Sequence, residues 1–275
     1  MMHFVSGTLY IGLLLSCSYL FSNDLSIETR DQEFLRFAVK ERLLDPLTQK
    51  LAIPDHIKHV KLDIGLSYNA PMSEQWLSNE EDLFVFGFEP NPASVSSFLS
   101  GRAIAHPGHG KPLQAKFIGS HFALFPCALG IHDESTIQFY VTKADCGCSS
   151  LYAPYTFEVE QVINVPIFPL TSFFSLFPFD RFPVIEYIKI DAQGSDLDIV
   201  KSAETYLSEH VLFITLEPEN DYYLGTSNSA YEIDQYMSSI GFKRFFSPQT
   251  SDPTYLNLRL MDYLDTHQVQ IYQKG

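Results

Sequence analysis

The 275 residues, 45% hydrophobic and 14% aromatic, are enough to bury one large core, which excludes a disordered or fibrous protein. A formal charge of −15 at pH 7 repels phosphate backbones, and no Lys/Arg run of the kind that tracks nucleic acid occurs, so the composition argues against DNA or RNA as partners. Four cysteines in a chain of this length exclude a disulfide scaffold.

From Phe4 to Ser22, "FVSGTLYIGLLLSCSYLFS" is uncharged over about 19 residues, long enough at 1.5 Å per residue to cross most of a bilayer core. Residues 1–23 therefore read as a targeting or anchoring segment, placing the protein as membrane-associated or secreted. The segment lacks a leading Lys or Arg, and Ser-Cys-Ser and Leu-Phe-Ser are only fair cleavage sites, so a cleaved export signal and an uncleaved anchor stand side by side. A buried soluble helix is the third reading. Residues 24–57 form a lead-in: Phe34, Leu35, Ala38, Val39, Leu43 and Leu44 recur at helical spacing between Ser26 and Lys50, and Pro54 closes the segment.

From residue 58 to 275 the pattern is that of one α/β domain. "HVKLDIG" predicts a strand, "MSEQWLSNEE" a helix, "LFVFGFE" a buried strand, and "PASVSSFLSG" a helix stopped by Gly101. Two successive strand–helix units predict a parallel sheet. After a Gly/Pro loop, "RAIAHPGHGKPLQ", come a strand "FALFPCALG" and a β-rich insertion made of "TIQFYVT", a loop, and "QVINVPIFPLTSFF". "VIEYIKID" then returns to the buried-strand pattern, "SDLDIVKSAETYLSEH" is one helix with Ser195 as N-cap, and "VLFITLEPE" is a further strand. "AYEIDQYMSSIGF" is a helix closed by Gly241, and "YLNLRLMD" a last strand. The expected architecture is a mostly parallel central sheet with helices on both faces. Cys146 and Cys148 form a lone C-x-C, and His106-Pro-Gly-His109 is equally isolated. Both read as Gly-containing turns before they read as metal ligands.

In open parallel sheets ligands bind at the carboxyl ends of strands, and here four strands end in acids or in Asp-x-Gly: Asp63, Glu89, Asp191 and Glu217. Glu89 follows Gly65 by about 24 residues, near the spacing at which a carboxylate in a nucleotide-binding fold accepts bonds from both ribose hydroxyls. The plainer reading is a strand-end acid facing water. Gly65 lets backbone approach a ligand without a Cβ, but the second and third glycines of a dinucleotide loop are missing. That argues against a nicotinamide oxidoreductase and for a ligand without a pyrophosphate.

The pieces in order, "LDIG" (Leu62–Gly65), "FEPNP" (Phe88–Pro92), "CALG" (Cys127–Gly130), "SSL" (Ser149–Leu151), "VPIFPLTSF" (Val165–Phe173), "IKIDAQGSDL" (Ile188–Leu197) and "TLE" (Thr215–Glu217), resemble the FkbM family of S-adenosylmethionine-dependent methyltransferases. The likeness is collinear from about His59 to Asp262. Three positions depart from it: the family's "GANxG" turn reads "GLSYN", with Ser67 and Asn69 in place of Asn and Gly; "VEG" reads "AQG", with Gln193 in place of Glu; and "LD" reads Leu170-Thr171.

The resemblance implies a Rossmann-like class I methyltransferase fold, S-adenosyl-L-methionine as cofactor, and methylation of a sugar, glycolipid or small-metabolite hydroxyl, a small-molecule or glycan acceptor. It implies a cofactor set of Asp63, Gly65, Ser67, Glu89, Asn91, Cys127 and Ala128, with Glu89 on the ribose and Cys127 and Ala128 near adenine. Asp191, with Gln193 and Glu217 beside it, is the implied proton acceptor or acceptor-orienting group; the alternative is that Asp191 only caps the following helix. A non-catalytic exported binding protein on the same fold is the competing function.

Overall fold

The computed structural model describes residues 29–101, 110–143, 146–219, 221–245, 252–267 and 269. The apolar segment 4–22, together with His106 and His109, lies outside them. Among the described residues no helix is long and apolar enough to cross a membrane.

In chain order the elements are α1 (Arg30–Lys40), β1 (His59–Ile64), α2 (Pro71–Asn79), β2 (Leu83–Phe88), α3 (Pro92–Leu99), β3 (Phe122–Phe125), β4 (Ala128–Leu129), β5 (Thr136–Thr142) and β6 (Val159–Phe168). There follow α4 (Leu170–Leu176), β7 (Ile185–Ile190), α5 (Asp196–Lys201), α6 (Glu204–His210), β8 (Val211–Leu216), α7 (Ala230–Ser239), β9 (Phe242–Phe245), β10 (Thr254–Asn257) and α8 (Met261–Thr266). Seven of these strands form the main sheet in the order β3-β2-β1-β7-β8-β10-β9. Its first five are mutually parallel, and β10 runs antiparallel to both β8 and β9. The chain winds outward from β1 to β3 and then returns to β7 on the other side of β1, so β1 and β7 flank a topological switch point. This is the Rossmann-like α/β architecture that the sequence predicts.

The period-2 alternation of each strand feeds two cores. Val60, Leu62 and Ile64 of β1 and Phe84, Phe86 and Phe88 of β2 face α1, α4, α5, α6 and α7. Leu83 and Val85 of β2 and Tyr187 of β7 face α2 and α3 through Trp76, Leu77 and Phe98. The first core is aromatic: Phe88 and Phe125 stack at 4.8 Å, and Phe173 of α4 meets Phe86, Phe88 and Phe125 edge-on at 5.2 to 5.6 Å. On the second face Lys61 is fully buried within β1; its ammonium lies 2.5 Å from Glu80 and over the Trp76 ring.

Several elements differ from expectation. The lead-in helix covers only Arg30–Lys40, because Arg42 turns left-handed (φ 59°) and the amides of Arg42 and Leu43 close back on Val39 and Ala38; Leu43 and Leu44 lie beyond it. "FALFPCALG" is two strands. Pro126 has no N–H to continue the ladder, so β3 stays in the main sheet while β4 joins β6 and β5 in a separate three-stranded sheet, which is the β-rich insertion. The end of that insertion, "LTSFF", is helix α4. Its Ser172 hydroxyl donates to Asp31 of α1 (2.6 Å), and its buried Phe pair enters the aromatic core.

The single helix expected after β7 breaks into α5 and α6 at Ser202, whose hydroxyl accepts the Leu170 N–H of α4 (2.9 Å) and donates to Ile199 (2.7 Å). "YLNLRLMD" gives a strand only to Asn257. The Asn257 side chain then caps a 3-10 turn leading into α8, and β9 was not foreseen. Cys146–Cys148 form a 3-10 turn.

Because Phe173 is fully buried where five other phenylalanine rings converge, Phe173→Ala is expected to lower the unfolding free energy by about 3–5 kcal/mol in urea titration. Leu47→Ala, at a side chain 91% exposed, is expected to change it by less than about 0.5 kcal/mol. Equal effects of the two would refute this placement of the core.

Candidate functional site

A cavity of about 820 Å³ opens at the carboxyl ends of β1, β2, β7 and β8. Asp63, Gly65, Ser67, Glu89, Cys127 and Ala128 line it, as do Asp191, Gln193 and Glu217. The structure thus brings together nine of the ten residues singled out from the sequence. Asn91 is the exception. Its side chain accepts the Ala93 N–H (3.0 Å) as the N-cap of α3, while its backbone N–H supports Glu89.

At the β1–β2 end, Gly65 sits at φ +81°, and a Cβ there would lie 1.8 Å from the Asp191 carbonyl oxygen. Only glycine allows this approach. Ser67, also left-handed at φ 57°, turns its N–H toward Glu89, which accepts a second bond from the Asn91 N–H (2.8 Å). Glu89 is 5% exposed, so burial raises its pKa to about 8 against the pull of the Asn91 amide and the Lys189 charge. The reading of Glu89 as a strand-end acid facing water is therefore wrong. Asp63 is buried too; its Oδ2 accepts the Ser73 hydroxyl (2.6 Å) and N–H (3.1 Å) in the first turn of α2, while Oδ1 makes no hydrogen bond. Burial raises its pKa, with Lys189 and Ser73 opposing.

Between the two ends lies Lys189, which the sequence reading did not single out. Its ammonium donates to the Gly65 carbonyl (2.8 Å) and pairs with Asp191 (3.2 Å) and Asp63 (3.7 Å). Burial alone would lower its pKa, but Asp191, Asp63 and Glu217 carry it above the ordinary lysine value. The available signal was a lysine one residue before the carboxyl end of the mostly apolar strand "IEYIKI", whose other charged residue, Glu186, lies at its start.

At the β7–β8 end, the Gln193 side-chain amide donates to Asp191 Oδ1 (2.8 Å) and Glu217 Oε2 (3.1 Å). Its oxygen lies 2.6 Å from the Tyr223 hydroxyl, and its backbone carbonyl accepts from Ser150 (2.6 Å). The N-cap position of α5 belongs to Ser195, and the Asp191 carboxylate meets Gln193 and Lys189. The turn is braced instead by Asp196, fully buried, whose two oxygens accept the N–H groups of Ala192 (2.9 Å) and Glu217 (2.8 Å). Burial, with Asp191 adding repulsion, raises the Asp196 pKa to about 7. Ser195 is not a side-chain cap; its hydroxyl is buried without a hydrogen bond, and the residue is part of the cavity wall. Asp196 and Tyr223 are the other residues missed: the first reads in sequence as an ordinary first-turn acid, and the second lies 30 residues from its partner Gln193. On the wall near β4, Cys127 is fully buried, and burial pushes its thiol far above the usual range, so it is a neutral apolar surface beside Ala128, Phe139 and Leu151.

A switch-point cavity with a glycine turn and an acid at the end of the second strand is where Rossmann-like α/β folds bind their ligands. The chain belongs to the family of the methyltransferase FkbM domain, whose model matches residues 69–244. The matched span contains Glu89, Asp191, Gln193 and Glu217 and begins after the Gly65 turn. No curated protein and no solved structure matches the chain.

The raised pKa values give a pH signature. A native carboxyl pKa above its unfolded value contributes stability that is full below the unfolded pKa and lost as pH rises through the native one. For Glu89 that window runs from 4.5 to about 8, and for Asp196 from 3.8 to about 7. The ligand-free protein is expected to lose on the order of a few kcal/mol across it, followed as a falling thermal midpoint. Glu89→Gln should flatten the upper part of the curve; a variant with the parent's slope would show that Glu89 is not the titrating group.

Proposed function

We propose that the protein transfers the methyl group of S-adenosylmethionine to a hydroxyl of a sugar, glycolipid or small metabolite. The observation that carries this reading is the buried Glu89 carboxylate, held by two backbone amides at the end of β2 and facing the cavity beside the Gly65 turn. When bound, the donor supplies a methyl group already activated as a sulfonium.

The residues present suit such a donor. Glu89 has acceptor oxygens for the ribose hydroxyls, the wall of Cys127, Ala128, Phe139 and Leu151 suits a planar base, and the buried acids oppose a sulfonium and an ammonium. Gly65 keeps the turn close enough to β7 for both ends of the cavity to serve one reaction. Transfer to a hydroxyl needs a group that receives its proton, and Asp191 and Glu217, held together by Gln193, are the carboxylates that serve as base or orient the acceptor.

One observation favours a second reading, a binding protein on the same fold: Gln193 stands where the resemblance has Glu, and an amide accepts no proton. Donor binding without methyl transfer to any offered acceptor would support that reading. The uncharged segment 4–22 supports a domain exported from or held at a membrane; recovery of the full chain in the soluble cytosolic fraction with its N-terminus intact would sink that part.

Calorimetry of the full chain with S-adenosylmethionine tests the main reading, and no binding at millimolar concentration would overturn it. Glu89 must ionise to accept ribose hydroxyls, so binding at pH 7 is expected to release a proton and to strengthen between pH 6 and pH 8. Glu89→Ala is expected to weaken binding at least tenfold, the loss of charge-assisted bonds worth about 1.5–3 kcal/mol.

A further inference from the structure

We propose that the imidazoles of His56 and His121, with the backbone carbonyl of Glu81, form a binding site for a zinc-class divalent cation at the amino edge of the main sheet. The inference is independent of the methyltransferase reading, because the cavity lies at the opposite, carboxyl ends of the strands.

The first support is geometry. Three connections bring these groups together: His56 precedes β1, Glu81 precedes β2, and His121 precedes β3. His121 Nε2 lies 3.2 Å from His56 Nε2 and 3.2 Å from the Glu81 carbonyl oxygen. Two ligand atoms on a tetrahedral zinc, each at about 2.0–2.1 Å from the metal, stand about 3.3–3.4 Å apart. Both separations are close to that edge.

The second support is the placement of protons. The Ser120 hydroxyl donates to the carbonyls of Lys116 (3.0 Å) and Phe117 (3.3 Å). It therefore offers a lone pair to His121 Nδ1 at 3.1 Å, and the proton of the neutral ring sits on Nδ1. His121 Nε2 then presents a lone pair toward the lone pairs of the Glu81 oxygen. A hydrogen bond from His56 would satisfy the nitrogen and leave the carbonyl facing it, whereas a cation among the three serves all of them. Fixing a ligating histidine by a hydrogen bond at its other nitrogen is the usual support of such sites.

Imidazole nitrogen suits Zn²⁺, Cu²⁺ or Ni²⁺, while Mg²⁺ and Ca²⁺ take oxygen ligands. Among the described residues no three His, Cys, Asp or Glu side chains group to hold a metal, so the two imidazoles and one carbonyl are the protein's share and water completes the shell. His56 and Glu81 are exposed, which gives the cation direct entry, and the formal charge of −15 favours its approach. Bound there, it ties the edge strand β3 to the chain entering β1 and β2 and stabilises the folded state.

The test uses the full chain without a histidine tag, titrated with zinc chloride at neutral pH by calorimetry. Zinc is expected to bind and to raise the thermal midpoint. His56→Ala, at an exposed side chain, is expected to keep the zinc-free midpoint and to weaken zinc by about tenfold or more, as is His121→Gln, since loss of even an outer-shell partner costs that much. His132→Ala and added Mg²⁺ are expected to leave zinc affinity within about twofold. With Cu²⁺ in place of zinc, electron paramagnetic resonance is expected to show coupling to two imidazole nitrogens in the parent and to one in His56→Ala. Equal zinc affinity in the parent and His56→Ala, no zinc binding at all, or displacement of zinc by Mg²⁺ overturns the proposal.

Discussion

The approach of the Gly65 turn to the end of β7 is the constraint from which the site follows. The Asp191 N–H bonds to the Ile64 carbonyl (3.0 Å), and the space beside Gly65 is so small that a Cβ would meet the Asp191 oxygen. Lys189 fastens the same junction from below, its ammonium on the Gly65 carbonyl and between two carboxylates. Removing one partner from such a buried set leaves an uncompensated charge, which is far costlier than the net worth of the pair. The junction therefore fixes where β1 and β7 end relative to each other, and with them the two ends of the cavity.

That arrangement concentrates acids where burial opposes their ionisation. The molecule meets the cost in different ways at each position. Asp63 takes a hydroxyl, an amide and part of Lys189; Asp196 takes two backbone amides; Glu89 takes two amides and still rises to about 8. Burial raises the pKa of all three carboxyls, and Asp63 is in addition tied to α2 through Ser73. The same buried acids are the ones that suit a cation.

Much of this was legible because buried parallel strands are continuous apolar runs, and their last polar residue falls at the ligand-binding edge. Asp63, Glu89, Asp191 and Glu217 were found by that logic alone. What stayed hidden depended on partners distant in the chain. Nothing near Gln193 in sequence indicates Tyr223 or Ser150, and nothing in "SDLD" distinguishes Asp196, which braces two strand ends, from Asp198, which accepts the Tyr152 hydroxyl. Asn91 was misplaced because a cap residue and a ligand-binding residue occupy the same position just past a strand. Pro126 split a strand whose apolar pattern runs straight through it.

The departures from the family pattern take on a physical meaning in this geometry. Ser67 adopts left-handed backbone (φ 57°) within the "GLSYN" turn, at an energetic penalty held by the surrounding core, whereas Asn69, in the place of the family's glycine, does not adopt positive φ. At Gln193 the change is compensated locally. A glutamate there would set a third carboxylate against Asp191 and Glu217, whereas the amide donates to both and offers its oxygen to Tyr223. The substitution exchanges a group able to take a proton for one that holds two carboxylates side by side. The divergence at Gln193 is thus in the charge at the β7–β8 end of the cavity rather than in the scaffold around it.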